Sequence, residues 1–135
     1  MNPASLDINW LAVLAAAASA FVLGGLWYGP LFKRAWCREN GMDPDAAPRR
    51  HPGATFAVAG LCSLVAAFAF ALFLRGDTPP ASAAMFGGIL GLFWVAMSFG
   101  INYAFAGRTF KLWAIDAGYH ILQFSLYGLI LGSWR

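Results

Sequence analysis

"WLAVLAAAASAFVLGGLWYGPLF", residues 10–32, is an apolar run without a charged residue. A hydrocarbon core of about 30 Å is crossed by about 20 apolar residues in helical form, so this run is long enough to span a bilayer. Within it "AAAASA" (15–20) resembles a small-residue cleavage site, but no Lys or Arg precedes the run and its apolar character continues well past the alanines. A secretory signal needs a basic leading region and a shorter apolar core, so a retained helix is expected.

Three further windows match it: "ATFAVAGLCSLVAAFAFALFL" (54–74), "AAMFGGILGLFWVAMSFGINYAFA" (83–106) and "LWAIDAGYHILQFSLYGLILGSW" (112–134). The whole chain is 60% hydrophobic and 11% charged, with a mean hydropathy of +0.62. Soluble domains carry roughly a quarter charged residues. The expected class is therefore all-α, a four-transmembrane-helix bundle with short loops, forming one integral membrane domain over residues 1–135 and leaving no room for a soluble domain.

Loops rich in Lys and Arg stay cytoplasmic. Lys33, Arg34, Arg38, Arg49 and Arg50 follow the first helix, and Arg108 and Lys111 follow the third; Arg75 and Arg135 are the two basic residues on the other side. Seven against two puts both termini on the outer side of the membrane, as a multi-pass protein. These charges flank helix ends, where anionic lipid head groups attract them. The net charge of +3 is thus assigned to the lipid bilayer, not to nucleic acid. Cys37 falls in a cytoplasmic loop and Cys62 inside the second helix, so neither a disulfide nor a zinc site is expected.

The loop "KRAWCRENGMDPDAAPRRHPG" (33–53) begins with a short helical extension around Trp36 and continues irregularly; "RGDTPPAS" (75–82) is a tight turn in which Pro79 and Pro80 separate two helices. Small residues recur at four-residue spacing: Ala12, Ala16, Ala20 and Gly24; Ala59, Ser63, Ala67 and Ala71; Gly87 and Gly91; Gly128 and Gly132. In lipid such faces let helix backbones approach closely. A faint repeat relates "GLWYGPLFKRAW" (25–36) to "GINYAFAGRTFKLW" (100–113), which sets the first and third helices in the same direction.

Asp116, His120, Gln123 and Tyr127 fall within roughly 60° of arc on the fourth helix, a polar stripe on an apolar rod. On the third, Gly88, Gly91, Val95, Ser98 and Asn102 make a comparable face. A hairpin about "GRTFK" brings Asn102 level with Asp116 and Ser98 level with His120, with Trp27, Tyr28 and Tyr119 at similar depth. The expected intramembrane polar cluster is thus Trp27, Tyr28, Ser98, Asn102, Asp116, Tyr119, His120 and Gln123. An ionisable group at membrane depth costs about 2.5–3.5 kcal/mol and normally faces the bundle interior beside a partner. Three roles compete for Asp116 and His120: a proton relay or substrate site, two ligands of a metal, or hydrogen-bonded packing. Metal is weakest, because Cys62 is the sole further ligand at membrane depth.

The stretches "NWLAVLAAAASAFVLGGLWYGPLFKRAW", "GRTFKLWAIDAGYH" and "GLILGSW" resemble a bacterial family of small four-helix membrane proteins, domain of unknown function 1761. The matching positions are Asn9, Trp10, Gly24 or Gly25, Trp27, Tyr28, Pro30, Lys111, Gly118, Tyr119, His120 and Gly132. The resemblance implies no activity, substrate or cofactor. Where this chain has Asp116 the family pattern often has Asn, which moves weight from Asp116 towards Tyr119 and His120.

No nucleophile constellation, HExxH, glycine-rich phosphate loop or CxxC occurs, so no catalytic residue, metal or cofactor is assigned and the balance is against an enzyme. The leading expectation is a structural or accessory component that self-associates or joins a larger membrane complex. The alternative is a small carrier or channel-like protein with a polar site around His120.

Overall fold

The computed structural model describes residues 7–48, 51–74 and 76–134, all of them helix or connecting turn with no β-strand. Arg49, Arg50, Arg75 and Arg135 of the charge balance lie outside the described residues.

The first helix, α1 (Trp10–Leu31), starts at Asn9, whose side chain accepts from the Ala12 amide at 3.1 Å. It is α-helical to Leu26 and kinks within Trp27–Leu31, where Gly29 leaves helical geometry with φ −97° and ψ −106°. Pro30 explains the change: its ring collides with the carbonyl four residues back and it has no N–H to donate. The chain turns there into a short helix, α2 (Lys33–Glu39), the extension expected around Trp36.

Three long helices follow: α3 (Pro52–Phe73), α4 (Pro80–Phe105) and α5 (Phe110–Ser133). They begin slightly before the hydropathy windows at 54, 83 and 112, because proline suits a first helical turn and the Thr109 side chain caps α5 by accepting from the Leu112 amide at 3.2 Å. Helix α4 contains its own π-helical segment, Gly91–Ala96. Helices α1, α3 and α4 are long and apolar enough to cross a membrane. Helix α5 has 24 residues, and its polar stripe lowers its hydropathy below theirs.

Two hydrogen bonds define the ends. Asn9 Nδ2 donates to the Trp134 carbonyl (3.4 Å), joining the start of α1 to the end of α5. Thr109 Oγ1 donates to Glu39 Oε2 (2.7 Å), joining the segment after α1 to the turn before α5. Helices α1 and α4 therefore run in one direction, and the segments carrying Lys33, Arg34, Arg38, Arg108 and Lys111 share one end of the molecule.

The small-residue faces are the contacts. A Cβ added at Gly87 would lie 1.9 Å from the Phe124 carbonyl oxygen, and one at Gly128 would lie 1.9 Å from that of Ala83. The α4 and α5 backbones thus touch where any larger side chain would hold them apart. On the other side, Ala12, Val13, Ala16, Ala17 and Ala20 of α1 pack with Ala67 and Phe70 of α3 and Tyr127 and Leu131 of α5. The outward faces are apolar, with Leu11, Val58, Phe73, Phe93 and Phe105 all well exposed, as a lipid solvent permits.

Candidate functional site

Asp116, on the second turn of α5, is 8% exposed and accepts three hydrogen bonds. Tyr28 Oη donates to Oδ1 at 2.6 Å, Trp36 Nε1 donates to the same oxygen at 3.0 Å, and Tyr103 Oη donates to Oδ2. The donors come from the end of α1, from α2 and from the end of α4, so one carboxyl group ties three elements to the fourth. Beside it, Trp27 Nε1 donates to the Ile115 carbonyl at 2.8 Å. Trp27 and Tyr28, consecutive in sequence, thus both reach α5 just before the kink at Gly29 and Pro30.

One turn further along α5 a second network begins. His120 Nδ1 lies 2.6 Å from Gln123 Oε1, Gln123 Nε2 donates to Tyr127 Oη at 2.7 Å, Tyr127 meets the Ser63 hydroxyl, and Ser63 Oγ donates to the Ala17 carbonyl at 3.0 Å. The direction of every bond follows from the last one, because a carbonyl can only accept. Ser63 gives its single proton to Ala17, so Tyr127 turns its own proton to Ser63, whose hydroxyl and backbone carbonyl (3.3 Å) both lie within reach. Tyr127 has then spent its proton and accepts from the Gln123 amide nitrogen. Gln123 turns its carbonyl to His120, whose Nδ1 must bear hydrogen. In the neutral ring Nε2 is left with a lone pair and no partner among the described residues. The wire ends on a backbone carbonyl, so it fixes a tautomer and offers a proton no onward route.

His120 is clamped between rings, stacked on Phe99 (centroids 5.0 Å, planes 25° apart) and edge-on to Tyr119 (4.9 Å). Tyr119 donates to the Ala20 carbonyl at 2.9 Å. The ring borders a cleft of about 810 Å³ between α1, α3 and α5, which starts where Ala20 and Ser63 end the close packing of α1 on α3 and continues past Gly25, Ala59 and Cys62 to Lys33. Phe56, Ala59 and Cys62 on its α3 wall are exposed, so the cleft opens sideways through the apolar surface as well as towards the Lys33 end.

The structure thus gathers Trp27, Tyr28, Asp116, Tyr119, His120 and Gln123, but as two networks: among the described residues no hydrogen bond joins Asp116 to His120, so they are not a bonded pair. Ser98 and Asn102 are corrections. Both are exposed and border a shallow groove along α4 with Trp94, Val95 and Phe99, and the expected Asn102–Asp116 contact does not form. The π-helical segment is the cause, because its extra residue rotates everything after it, and Phe99 and Tyr103 take the inward positions.

Three participants were not expected: Trp36, read only as part of a short helical extension, Tyr103, and Ser63, read only as a packing residue. The faint repeat held the signal for Tyr103, since it aligns Gly25-x-x-Tyr28 with Gly100-x-x-Tyr103, and these are the two tyrosines on Asp116. Among the described residues no three His, Cys, Asp or Glu side chains group closely enough to hold a metal ion.

No curated protein and no solved structure matches the chain. A family model does, over residues 11–132, a span that takes in both networks and the cleft; the chain belongs to this family, described as protein of unknown function, DUF1761.

Proposed function

We propose that this is a multi-pass protein of a bacterial inner membrane, a four-helix transmembrane bundle with both termini on the outer side, which binds a lipophilic small molecule in the cleft beside His120. The observation that carries the reading is the cleft itself: about 810 Å³, within the range of about 300–1,000 Å³ of small-molecule sites, with apolar walls and few polar groups. Crossing by α5 is supported by its 24-residue length and by its burial of the polar stripe against α1, α3 and α4. The orientation is supported by the shared end of the two basic segments, which the Thr109–Glu39 bond brings together.

The test is retention. Wild-type protein carried through exhaustive detergent exchange should hold a lipophilic molecule visible by native mass spectrometry, and Ala59→Trp, which fills the cleft from its exposed wall, should lose it. Wild-type protein with no bound mass, or an Ala59→Trp variant that retains the same mass, overturns the reading.

A second reading, the self-associating or accessory component, has one specific support. Ser98 and Asn102 place two hydrogen-bonding side chains on an otherwise apolar exposed face of α4. Such groups join helices in membranes.

A further inference from the structure

The cleft presents far less polar chemistry than its lining suggests. Tyr28 donates to Asp116, Tyr119 to the Ala20 carbonyl and Ser63 to the Ala17 carbonyl, while Gln123 is held at both ends by His120 and Tyr127. Thr55 turns its hydroxyl to the His51 carbonyl in its own helical turn (3.4 Å). What remains is the Cys62 thiol, the Lys33 ammonium group at the mouth, and Nε2 of His120. Among the described residues no fully buried side-chain nitrogen or oxygen lacks a partner, so the unpartnered Nε2 keeps open surface, and the space beside the ring is the cleft.

The Ser63–Tyr127–Gln123 wire holds the neutral imidazole as its Nδ1–H tautomer, so the ring nitrogen left open is an acceptor. A carboxylate or phosphate would meet a lone pair there. An ether or ester oxygen would do no better. A hydroxyl, by contrast, donates to Nε2 while the apolar walls cover the rest of the molecule.

Resting on the cleft reading above, we propose that the ligand is a neutral hydroxyl-headed lipophile, a phenol or long-chain alcohol, that enters sideways from the bilayer and donates its hydroxyl hydrogen to His120 Nε2. Gln123 is the positioning residue of this site, because its amide, locked by Tyr127, sets which imidazole nitrogen is the acceptor.

Cys62 reports on occupancy. With Cys37 replaced by alanine it is the one thiol left in the chain. Protein in lipid nanodiscs is treated with N-ethylmaleimide, and the rate of Cys62 alkylation is followed against increasing 4-nonylphenol and, separately, its methyl ether 4-nonylanisole. The two probes share the apolar body and differ in the hydroxyl hydrogen. The phenol should protect Cys62 at roughly three- to tenfold lower concentration than the ether, the factor that one net hydrogen bond supplies. His120→Phe should abolish the difference while leaving weak protection by both. Equal protection of the wild-type protein by the two probes overturns the hydroxyl assignment and leaves the cleft reading standing. Protection by neither overturns both. The wild-type comparison decides the matter even if the His120 variant does not fold.

Discussion

The Tyr28 hydroxyl stands 2.6 Å from Asp116 Oδ1 across 88 residues of sequence, with Tyr103 on the other oxygen and the Trp36 indole sharing the first. The carboxyl group therefore works as a structural acceptor. Asp116→Asn should be tolerated: its carbonyl keeps Tyr28 and Trp36, and the Tyr103 hydroxyl turns to accept from the new amide. Asp116→Leu strands an indole N–H that can only donate, at a cost of about 1–3 kcal/mol for each buried donor left unpaired. Thermal unfolding in detergent should show the Asn variant near wild type and the Leu variant clearly lower. A Leu variant as stable as wild type would remove the structural role of this node.

The α4–α5 contact makes a sharper demand on size. Gly128→Val sets a side chain against the Ala83 carbonyl, where even a Cβ would lie 1.9 Å away, whereas a Cβ at Gly25 meets nothing within 4 Å. Backbone in a regular helix yields little, so overpacking should cost about 1–3 kcal/mol or more. Gly128→Val should elute as aggregate in size-exclusion chromatography and Gly25→Ala as folded protein. The reverse order would mean that the two helices do not cross here.

Asn102 separates the two functional readings. If its exposed amide joins two copies, Asn102→Leu should shift the protein from dimer to monomer in detergent, measured by light scattering of the protein–detergent complex, at a change of about 0.6–2 kcal/mol in association. Retention of the His120-cleft ligand by that monomer would show that the two roles are independent. A wild-type protein that is already monomeric removes the support for self-association.

Topology can be read with single cysteines in a chain lacking Cys37 and Cys62. A membrane-impermeant thiol reagent applied from outside should label Thr78→Cys and miss Asp45→Cys and Arg108→Cys. Labelling of Asp45→Cys from outside would invert the orientation, although the Thr109–Glu39 bond would still hold the two basic segments at one end.

Hydropathy sufficed to find the long helices, and the four-residue spacing of Gly87 with Gly91 and Gly128 with Gly132 marked a real backbone contact. The polar interior was legible along α5, a continuous α-helix in which about 100° per residue correctly groups Asp116, His120, Gln123 and Tyr127. It failed along α4. In an unbroken helix Ser98 and Asn102 lie within about 20° of the Gly91 direction, and Phe99 and Tyr103 lie about 80–120° away. The structure reverses these, because one surplus residue in the Gly91–Ala96 turn supplies the missing rotation. Nothing in "GLFWVA" announces that turn, and Trp36 was equally hidden, since its reach to Asp116 depends on the bend at Gly29 and Pro30.

The surplus residue in α4 yields a prediction that runs against ordinary expectation for a deletion. A π-helical turn of this kind is an α-helix with one residue inserted, so removing one residue inside it should restore regular α-helix and leave everything downstream on its present face. Leu92 is the natural choice, being 38% exposed within the segment. Without it, Phe99 and Tyr103 follow Gly91 by seven and eleven residues, close to two and three full turns, so Phe99 still stacks on His120 and Tyr103 still reaches Asp116. The same deletion in regular helix should be ruinous. Removing Leu122 of α5, 42% exposed, turns Tyr127 and Gly128 about 100° away from Ser63 and Ala83. The Leu92 deletion should therefore give folded, monodisperse protein with a melting temperature within a few degrees of wild type, while the Leu122 deletion should give none. Two equally damaging deletions would show that the π-helical turn does more than set the phase of α4.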